Sequence, residues 1–239
     1  MRIIRTDEVS STNDYIRQHD EHLTLCWAES QTKGRGQKGN SWESEKGQNL
    51  TFSFLLHPEQ LPARRQFLLS KAVSLAVVEA LRTTGTEARI KWPNDIYVGD
   101  RKICGILIEH DLSGNGMIRR SVVGIGINVN QEHFRSDAPN PTSLLLETGR
   151  RWDRETLLTA FIERFSDFYG DICREPENRR IDESYLKLLY RKEEWHRYRD
   201  AEGTFEGRIT GIGPEGELLI EKRNGRSGSY LFKEVSYLL

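Results

Sequence analysis

The stretch from Lys91 to Glu109, Lys-Trp-Pro-Asn-Asp-Ile-Tyr-Val-Gly-Asp-Arg-Lys-Ile-Cys-Gly-Ile-Leu-Ile-Glu, constrains this chain most. Ala88-Arg-Ile-Lys-Trp92 alternates as a strand does. Pro93 then removes a ladder donor, and Asn94-Asp95 bring turn chemistry before Ile96-Tyr-Val98 opens a second strand. Gly99-Asp100 reads as a tight hairpin turn. The third strand, Lys102 to Glu109, carries the near-continuous apolar run Ile103-Cys-Gly-Ile-Leu-Ile108, the pattern of a strand buried on both faces. Gly105 inside that run leaves room for a group to approach the backbone. A lysine, an aromatic ring and two polar turn residues therefore stand at the lip of a buried sheet, where a ligand would bind. A solvated Lys91 beside an ordinary proline turn has the same composition, so the rest of the chain has to decide.

With 239 residues the chain suits one large domain, or one large and one small, and can bury a substantial core. Its 35 basic and 36 acidic residues leave a net charge of -1, which provides no global field to draw nucleic acid or anionic lipid. The start, Met-Arg-Ile-Ile-Arg-Thr-Asp, has no apolar leader core, and no later run approaches the roughly 18 apolar residues of a membrane span. A cytoplasmic protein is the expectation. Cys26, Cys104 and Cys173 are odd in number and widely spaced, which fits reduced thiols rather than a disulfide frame. His19 and His22 lack carboxylate support, so no structural metal is expected.

Arg2 to Thr6 predicts a short strand, followed by a helix from Ser11 to about Gln18, with Ser11 as N-cap and Asp14 three residues on. Ser11, Thr12 and Asn13 serve capping on this reading, and the same groups can face a polar ligand at the helix start. Leu23 to Ala28 makes a strand. The loop after it contains Gly34, Gly36 and Gly39 in a G-x-G-x-x-G pattern, but no suitable helix follows, so a dinucleotide fold fails on context. A P-loop fails too, because Asn40 stands where lysine is needed. What remains is a long loop dense in backbone N–H groups that carries Lys33, Arg35 and Lys38. It is either an ordinary surface loop or a cover for a phosphate-bearing ligand.

Asn49 to Leu56 predicts a strand, and Pro62 opens the longest helix, to about Thr83, ended by Gly85. Met117 to Val129 predicts another strand, a loop spans 131 to 142, and Thr142 starts a short helix. Asp153 caps a helix to about Cys173, and another runs from Asp182 to about Tyr190. Beyond residue 191 the character changes. Short strands at Glu202–Thr210, Glu217–Lys222 and Ser229–Lys233, separated by glycine turns, predict a small antiparallel barrel.

The ordered set of motifs resembles the biotin protein ligases. Lys91-Trp-Pro-Asn-Asp95 with Arg101-Lys-x-x-Gly105-Ile-Leu-x-Glu109 looks like the family signature. Gln31-x-x-Gly34-Arg-Gly-x-x-Gly-x-x-Trp42, after a Ser-Thr-Asn helix start, is similar to its ligand-binding loop in order and spacing. The family's common Gly-Arg-Gly-Arg reads Gly34-Arg35-Gly36-Gln37 here, and Asn40 stands at another frequently basic position; an amide lacks the fixed charge of a guanidinium.

That resemblance implies an α+β fold: a mixed, largely antiparallel sheet with helices, a class II synthetase-like catalytic core, over residues 1–191, and a small SH3-like β-barrel over 192–239. It implies ATP-dependent ligation of biotin to a lysine of a biotin carboxyl carrier protein through biotinyl-5'-AMP, with Mg²⁺ accompanying ATP. Lys91 would bridge carboxylate and phosphate, with Arg35 and Lys102 dispersing charge. Thr12, Asn13 and Gln31 would hydrogen-bond the ureido head or neighbouring groups, and Ser11 would belong to the same substrate-binding set. Gly34, Gly36, Gln37 and Asn94 would line the substrates, Gly105 would admit the bicyclic ring, Trp42 would cover the adenine side, and Asn128 would belong to the nucleotide wall. With the Ser-Thr-Asn motif ten residues in, no DNA-binding head and no DNA partner are expected, and a homodimer stays open. Two rivals stay open as well: a lipoate or octanoate ligase of the same fold, and a non-catalytic biotin-binding module.

Overall fold

The computed structural model describes residues 1–37, 40–58, 61–135, 140–174 and 179–238. Among them the strands form two sheets. The larger has seven strands: β1 (Arg2–Val9), β2 (Thr24–Gln31), β3 (Leu50–Leu56), β4 (Ala88–Lys91), β5 (Asp95–Val98), β6 (Arg101–Leu112) and β7 (Ile118–Ile127), in the order β1-β2-β3-β7-β6-β5-β4. Only the β1–β2 pair is parallel, which makes the sheet mixed and largely antiparallel.

The two faces of β3 explain how the site side is separated from the core. Phe52 and Phe54 point to one side, where α4 (Arg154–Arg174) meets them; Phe54 and Phe165 have ring centroids 4.9 Å apart, and Phe52 and Phe161 5.1 Å. Helix α2 (Phe67–Arg82) packs beside α4, buried from Leu68 to Leu81 on most of its circumference. Thr51, Ser53 and Leu55 point the other way, as alternation in a strand requires. There the short helix α1 (Thr12–Ile16) lies on the sheet, with Ile16 against Cys26, Leu55 and Val122. One face is thus sealed by large rings, and the other keeps a polar opening beside α1.

The expected elements of the large sheet are present with shifted ends. Pro62 precedes a single 3₁₀ turn, Ala63–Arg65, before α2 starts at Phe67, and Gly85 at φ 79° follows its end. Ser11 occupies the N-cap of α1 but makes no side-chain capping bond. Helix α3 (Leu144–Thr148) is capped by Ser143, and α5 spans Arg179–Lys187, three residues earlier than expected. Within the loop expected over 131–142, residues 136–139 lie outside the described residues.

The C-terminal sheet has five strands where three were expected: β8 (Trp195–Asp200), β9 (Gly203–Ile212), β10 (Leu218–Lys222), β11 (Ser227–Tyr230) and β12 (Ser236–Tyr237), in the order β11-β10-β9-β8-β12. Strand β8 reads Trp-His-Arg-Tyr-Arg-Asp, in which only Tyr198 is fully buried, so its sequence carries no clear alternation. Strand β12 is two residues long, too short for any periodic signal. This sheet is docked on the larger one by the indole of Trp92, buried, whose Nε1–H donates to the Gly216 carbonyl at 2.8 Å, and by Arg191, which donates to the Leu238 carbonyl at 3.0 Å.

Candidate active site

Register builds the floor of the site. Cross-strand partners point to the same side, and the pairs Thr51↔Gly126, Ser53↔Gly124 and Gly105↔Gly126 place three glycines next to two hydroxyls. Side chains are absent here because other groups fill the space. A Cβ on Gly124 would lie 2.1 Å from Asn13 Oδ1, one on Gly126 2.2 Å from the Trp42 indole, and one on Gly105 2.9 Å from the same ring.

The N-terminus of α1 stands on this floor in a closed polar network. Gln31 Oε1 accepts from the Thr12 backbone N–H at 2.7 Å and from Thr12 Oγ1 at 3.0 Å. Gln31 therefore performs the capping that Ser11 does not. Ser53 Oγ lies 2.6 Å from both Thr12 Oγ1 and Asn13 Oδ1, and with one proton it donates to one of them at a time. Asn13 Nδ2 donates to Glu109 at 2.9 Å. Thr12, Asn13 and Ser53 are all buried, so their orientations are set before any ligand arrives.

The glycine-rich segment folds back as a hairpin. Gly34 and Trp42 are joined by the Trp42 N–H to the Gly34 carbonyl at 3.0 Å, and Gly36 donates to the Asn40 carbonyl at 2.9 Å. Lys38 and Gly39 lie outside the described residues. Arg35 turns to carboxylates, with Nη2 at 2.7 Å from Asp14 and 3.1 Å from Glu109. Trp42 lies across Gly105 and Gly126, and its Nε1, like Gln37 Oε1, is buried without a hydrogen-bond partner among the described residues. Two such atoms beside one cavity are a physical reason to expect a polar ligand.

The far wall comes from the motif around Lys91. The Trp92–Pro93 peptide is cis. Asn94 is locked to β6, its Nδ2 donating to the Ile106 carbonyl at 2.7 Å while its own carbonyl accepts from Ile106 N–H at 2.9 Å. Asp95 and Lys102 pair at 2.6 Å, and Lys102 also lies over the Trp42 ring. Burial holds the Lys91 ammonium below the usual lysine range; Asp95 pulls it back up, and Lys102 and Arg191 push it further down. These groups enclose a cleft of about 380 Å³, within the range of small-molecule sites, and Phe232, Lys233 and Val235, with Ser236 and Tyr237 of β12, contribute to its wall.

Residues 5–128 match the biotin/lipoate A/B protein ligase family. The bifunctional ligase/repressor BirA of Bacillus subtilis (strain 168) is 33% identical to this chain across 93% of it and 70% of that relative. The chain belongs to the biotin/lipoate A/B protein ligase family. The ligase is also 34% identical to the biotin--[acetyl-CoA-carboxylase] ligase of Paracoccus denitrificans over 61% of its length and 62% of that relative. Among solved structures it resembles the biotin protein ligase of Aquifex aeolicus in complex with biotin and ATP, with a TM-score of 0.83, 31% identity, and coverage of 98% and 97% of the two chains.

Of the residues singled out from sequence, the ligase brings Lys91, Arg35, Ser11, Thr12, Asn13, Gln31, Gly36, Gln37, Trp42, Asn94, Lys102 and Gly105 to the cleft. Two are placed elsewhere. Gly34 is at the base of the hairpin, where a Cβ would meet the Trp42 carbonyl at 2.3 Å. Asn128 is buried behind β6, with its Nδ2 donating to the Thr142 carbonyl at 2.9 Å, and it does not line the cleft. Its Gly-flanked strand end gave no information on which way the amide points. The sequence reading gave no site role to Glu109, Asp14 and Asp95, which hold the cations, or to Tyr237, which reaches the cleft from the other end of the chain. Asp95 had a signal, since a carboxylate adjoining a lysine motif can pair with a neighbouring cation, and Glu109 had one as the last residue of the signature; Asp14 and Tyr237 are long-range partners with none.

Proposed function

We propose that the ligase joins biotin to the ε-amino group of a lysine on a biotin carboxyl carrier protein through biotinyl-5'-AMP. The observation that carries this reading is the convergence, over one glycine floor, of a fixed hydrogen-bonding network at Thr12, Asn13 and Gln31 with the cations Lys91 and Lys102. An elongated acid with a polar head and a terminal carboxylate matches that polarity. In the first step the biotin carboxylate oxygen attacks the α-phosphorus of ATP, and the α–β bridging bond breaks to release pyrophosphate. In the second the acceptor amine attacks the acyl carbon, AMP leaves, and the amine loses its proton.

The first step brings two anions together, so fixed positive charge is what the protein has to supply. Lys91 lies on the cleft wall with no carboxylate ion pair among the described residues. Arg35 reaches phosphate by exchanging Asp14 and Glu109 for it, an inexpensive swap for a half-exposed pair. Trp42 and the hairpin shield the mixed anhydride from water. Mg²⁺ is expected with ATP; among the described residues no group of three or more His, Cys, Asp or Glu could hold it, which does not fit a protein-only cage. The division into a catalytic part, 1–191, and a C-terminal part, 192–239, and a cytoplasmic setting belong to the same reading. Among the described residues no helix is long and apolar enough to cross a membrane.

Exchange of labelled pyrophosphate into ATP, run with biotin, lipoate or no acid, tests the first step without the acceptor. Exchange with biotin alone is expected. Exchange with lipoate instead would reassign the substrate, and none with either would make the cleft a binding module. Gln37→Arg restores a fixed charge at the cleft and should slow release of the adenylate; an unchanged dissociation rate would show that the charge is supplied elsewhere.

A further inference from the structure

Lys91 is held in an unusual way. Among the described residues its ammonium makes no ion pair; Asp95, its cross-strand partner, is taken by Lys102 at 2.6 Å. Instead it lies 4.8 Å from the ring centroid of Tyr97 on β5 and 4.9 Å from that of Tyr237 on β12. One ring comes from the large sheet and the other from the C-terminal sheet. A carboxylate in that place would neutralise the charge and repel both substrates. Two π faces stabilise the ammonium while leaving its charge undiminished and its N–H donors available.

The position of Tyr237 is set from several directions. Strand β12 pairs with β8 through Tyr237↔Tyr198, and the two rings lie 5.3 Å apart. Tyr190 packs at 6.1 Å from Tyr237 and 5.4 Å from Tyr97, which closes the aromatic set. The next backbone group, the Leu238 carbonyl, is fixed by Arg191. The residue following Lys91, Trp92, is the one that bonds the C-terminal sheet at Gly216. The lysine and the ring beneath it are therefore tied to one another from both sides of the junction.

We propose that Tyr237 is a positioning residue for Lys91: its ring, carried by the C-terminal sheet, forms with Tyr97 an aromatic clamp that presents the ammonium to the cleft with its charge unpaired. This rests on the assignment of adenylate formation to Lys91. The clamp makes adenylate formation depend on the docking of the C-terminal sheet, and it acts on the rate of the chemical step rather than on biotin binding. Burial, with Lys102 and Arg191 nearby, lowers the proton affinity of Lys91; the two ring faces favour the charged form and oppose that shift.

The test is a set of full-length variants assayed by biotin-dependent pyrophosphate exchange, with biotin affinity measured by calorimetry. Tyr237→Phe keeps the ring and should retain the wild-type rate. Tyr237→Leu should lower the exchange rate roughly 3- to 30-fold with biotin affinity unchanged. Phenylalanine at 237 carrying one to four fluorines weakens the π face at nearly constant shape, so the logarithm of the rate should fall in proportion to fluorination; this arm does not depend on how well the Leu variant folds. Equal loss in the Phe and Leu variants, or a rate indifferent to fluorination, would overturn the clamp. Lys91→Ala serves as the control: loss of exchange in that variant with indifference to fluorination rejects the clamp alone, whereas wild-type exchange in Lys91→Ala rejects the reading of Lys91 on which it rests.

Discussion

The indole of Trp42 occupies the space that a side chain on Gly126 would need, 2.2 Å from the Cβ position. Gly105, the cross-strand partner of Gly126, faces the same ring at 2.9 Å. Neither glycine has a positive φ, so alanine is tolerated by the backbone, and the clash falls on Trp42. Gly126→Ala should lift the indole off the floor and weaken biotin and ATP binding by about 10-fold, equivalent to about 1.4 kcal/mol. Gly105→Ala, with the longer contact, should do so less. Calorimetric titration of both variants checks the order; equal affinities in wild type and Gly126→Ala would mean that Trp42 takes no part in forming the binding surface.

Trp92 and Gly216 form the counterpart at the junction of the two sheets. Trp92→Phe leaves the Gly216 carbonyl buried without its donor, a loss of about 1–3 kcal/mol. Gly216→Ala attacks the same contact from the other side, because φ is 102° there and a Cβ would meet Phe67 at 2.5 Å. Both variants should unfold at lower urea concentration than wild type. Both should also lose pyrophosphate exchange further than their residual folded fraction explains, since Lys91 adjoins Trp92. Full specific activity in the folded fraction would separate docking from chemistry.

The sequence disclosed most of the strands and the cleft-lining motifs because each depends on local chemistry. Pro93 and Gly99 mark turns, and Gly105 marks a close approach. The run Ile103 to Ile108 marks a strand, but not the one expected to be buried on both faces, because Gly105, Leu107 and Ile108 are only partly buried and the sheet opens to the cleft at Gly105 and Leu107. Pairing partners brought from a distance left no such mark. Arg35 reads as a free cation until Asp14 and Glu109 are seen beside it, and Lys91 is expected at the site without any sign of the Tyr237 ring that packs on it. Asn128 shows the converse, a residue whose local setting suggests a turn or a wall but whose amide turns inward to Thr142. Strands β8 and β12 were missed for the same physical reason: one has a single fully buried side chain and the other is too short for a period.

His110 gives the fold a pH dependence separate from the cleft. Burial pushes its imidazole down to about 4, against a weaker upward pull from Asp111, and its Nδ1 lies 2.8 Å from Ser121 Oγ. The folded state keeps this ring neutral while the unfolded chain protonates it near 6.5, so the unfolded state binds more protons between those values. Stability is lost as pH falls from about 6.5 to about 4, by at most roughly 3 kcal/mol. In His110→Gln that contribution is absent. Urea midpoints of the two proteins at pH 7.5, 6 and 5 should converge as pH falls, and parallel profiles would show that His110 titrates normally.

Lys91 should give activity and stability opposite responses to alkali. Its folded-state proton affinity lies below that of a free lysine, chiefly because it is buried. Below the folded value the ammonium is charged, and the cation needed to bring carboxylate and phosphate together is present. As pH rises through that value the charge is lost, so kcat/KM for ATP in the exchange reaction should fall before the usual lysine range near 10.4 is reached. Over the same interval the unfolded chain still holds the proton that the folded one has released, so this group's contribution to stability rises. Lys91→Arg keeps its charge throughout and should flatten the alkaline limb at a lower maximal rate, because a planar guanidinium does not present the compact charge of an ammonium. Lys91→Ala should abolish exchange at every pH while its circular dichroism stays native. An alkaline limb unchanged in Lys91→Arg would assign that ionisation to another group.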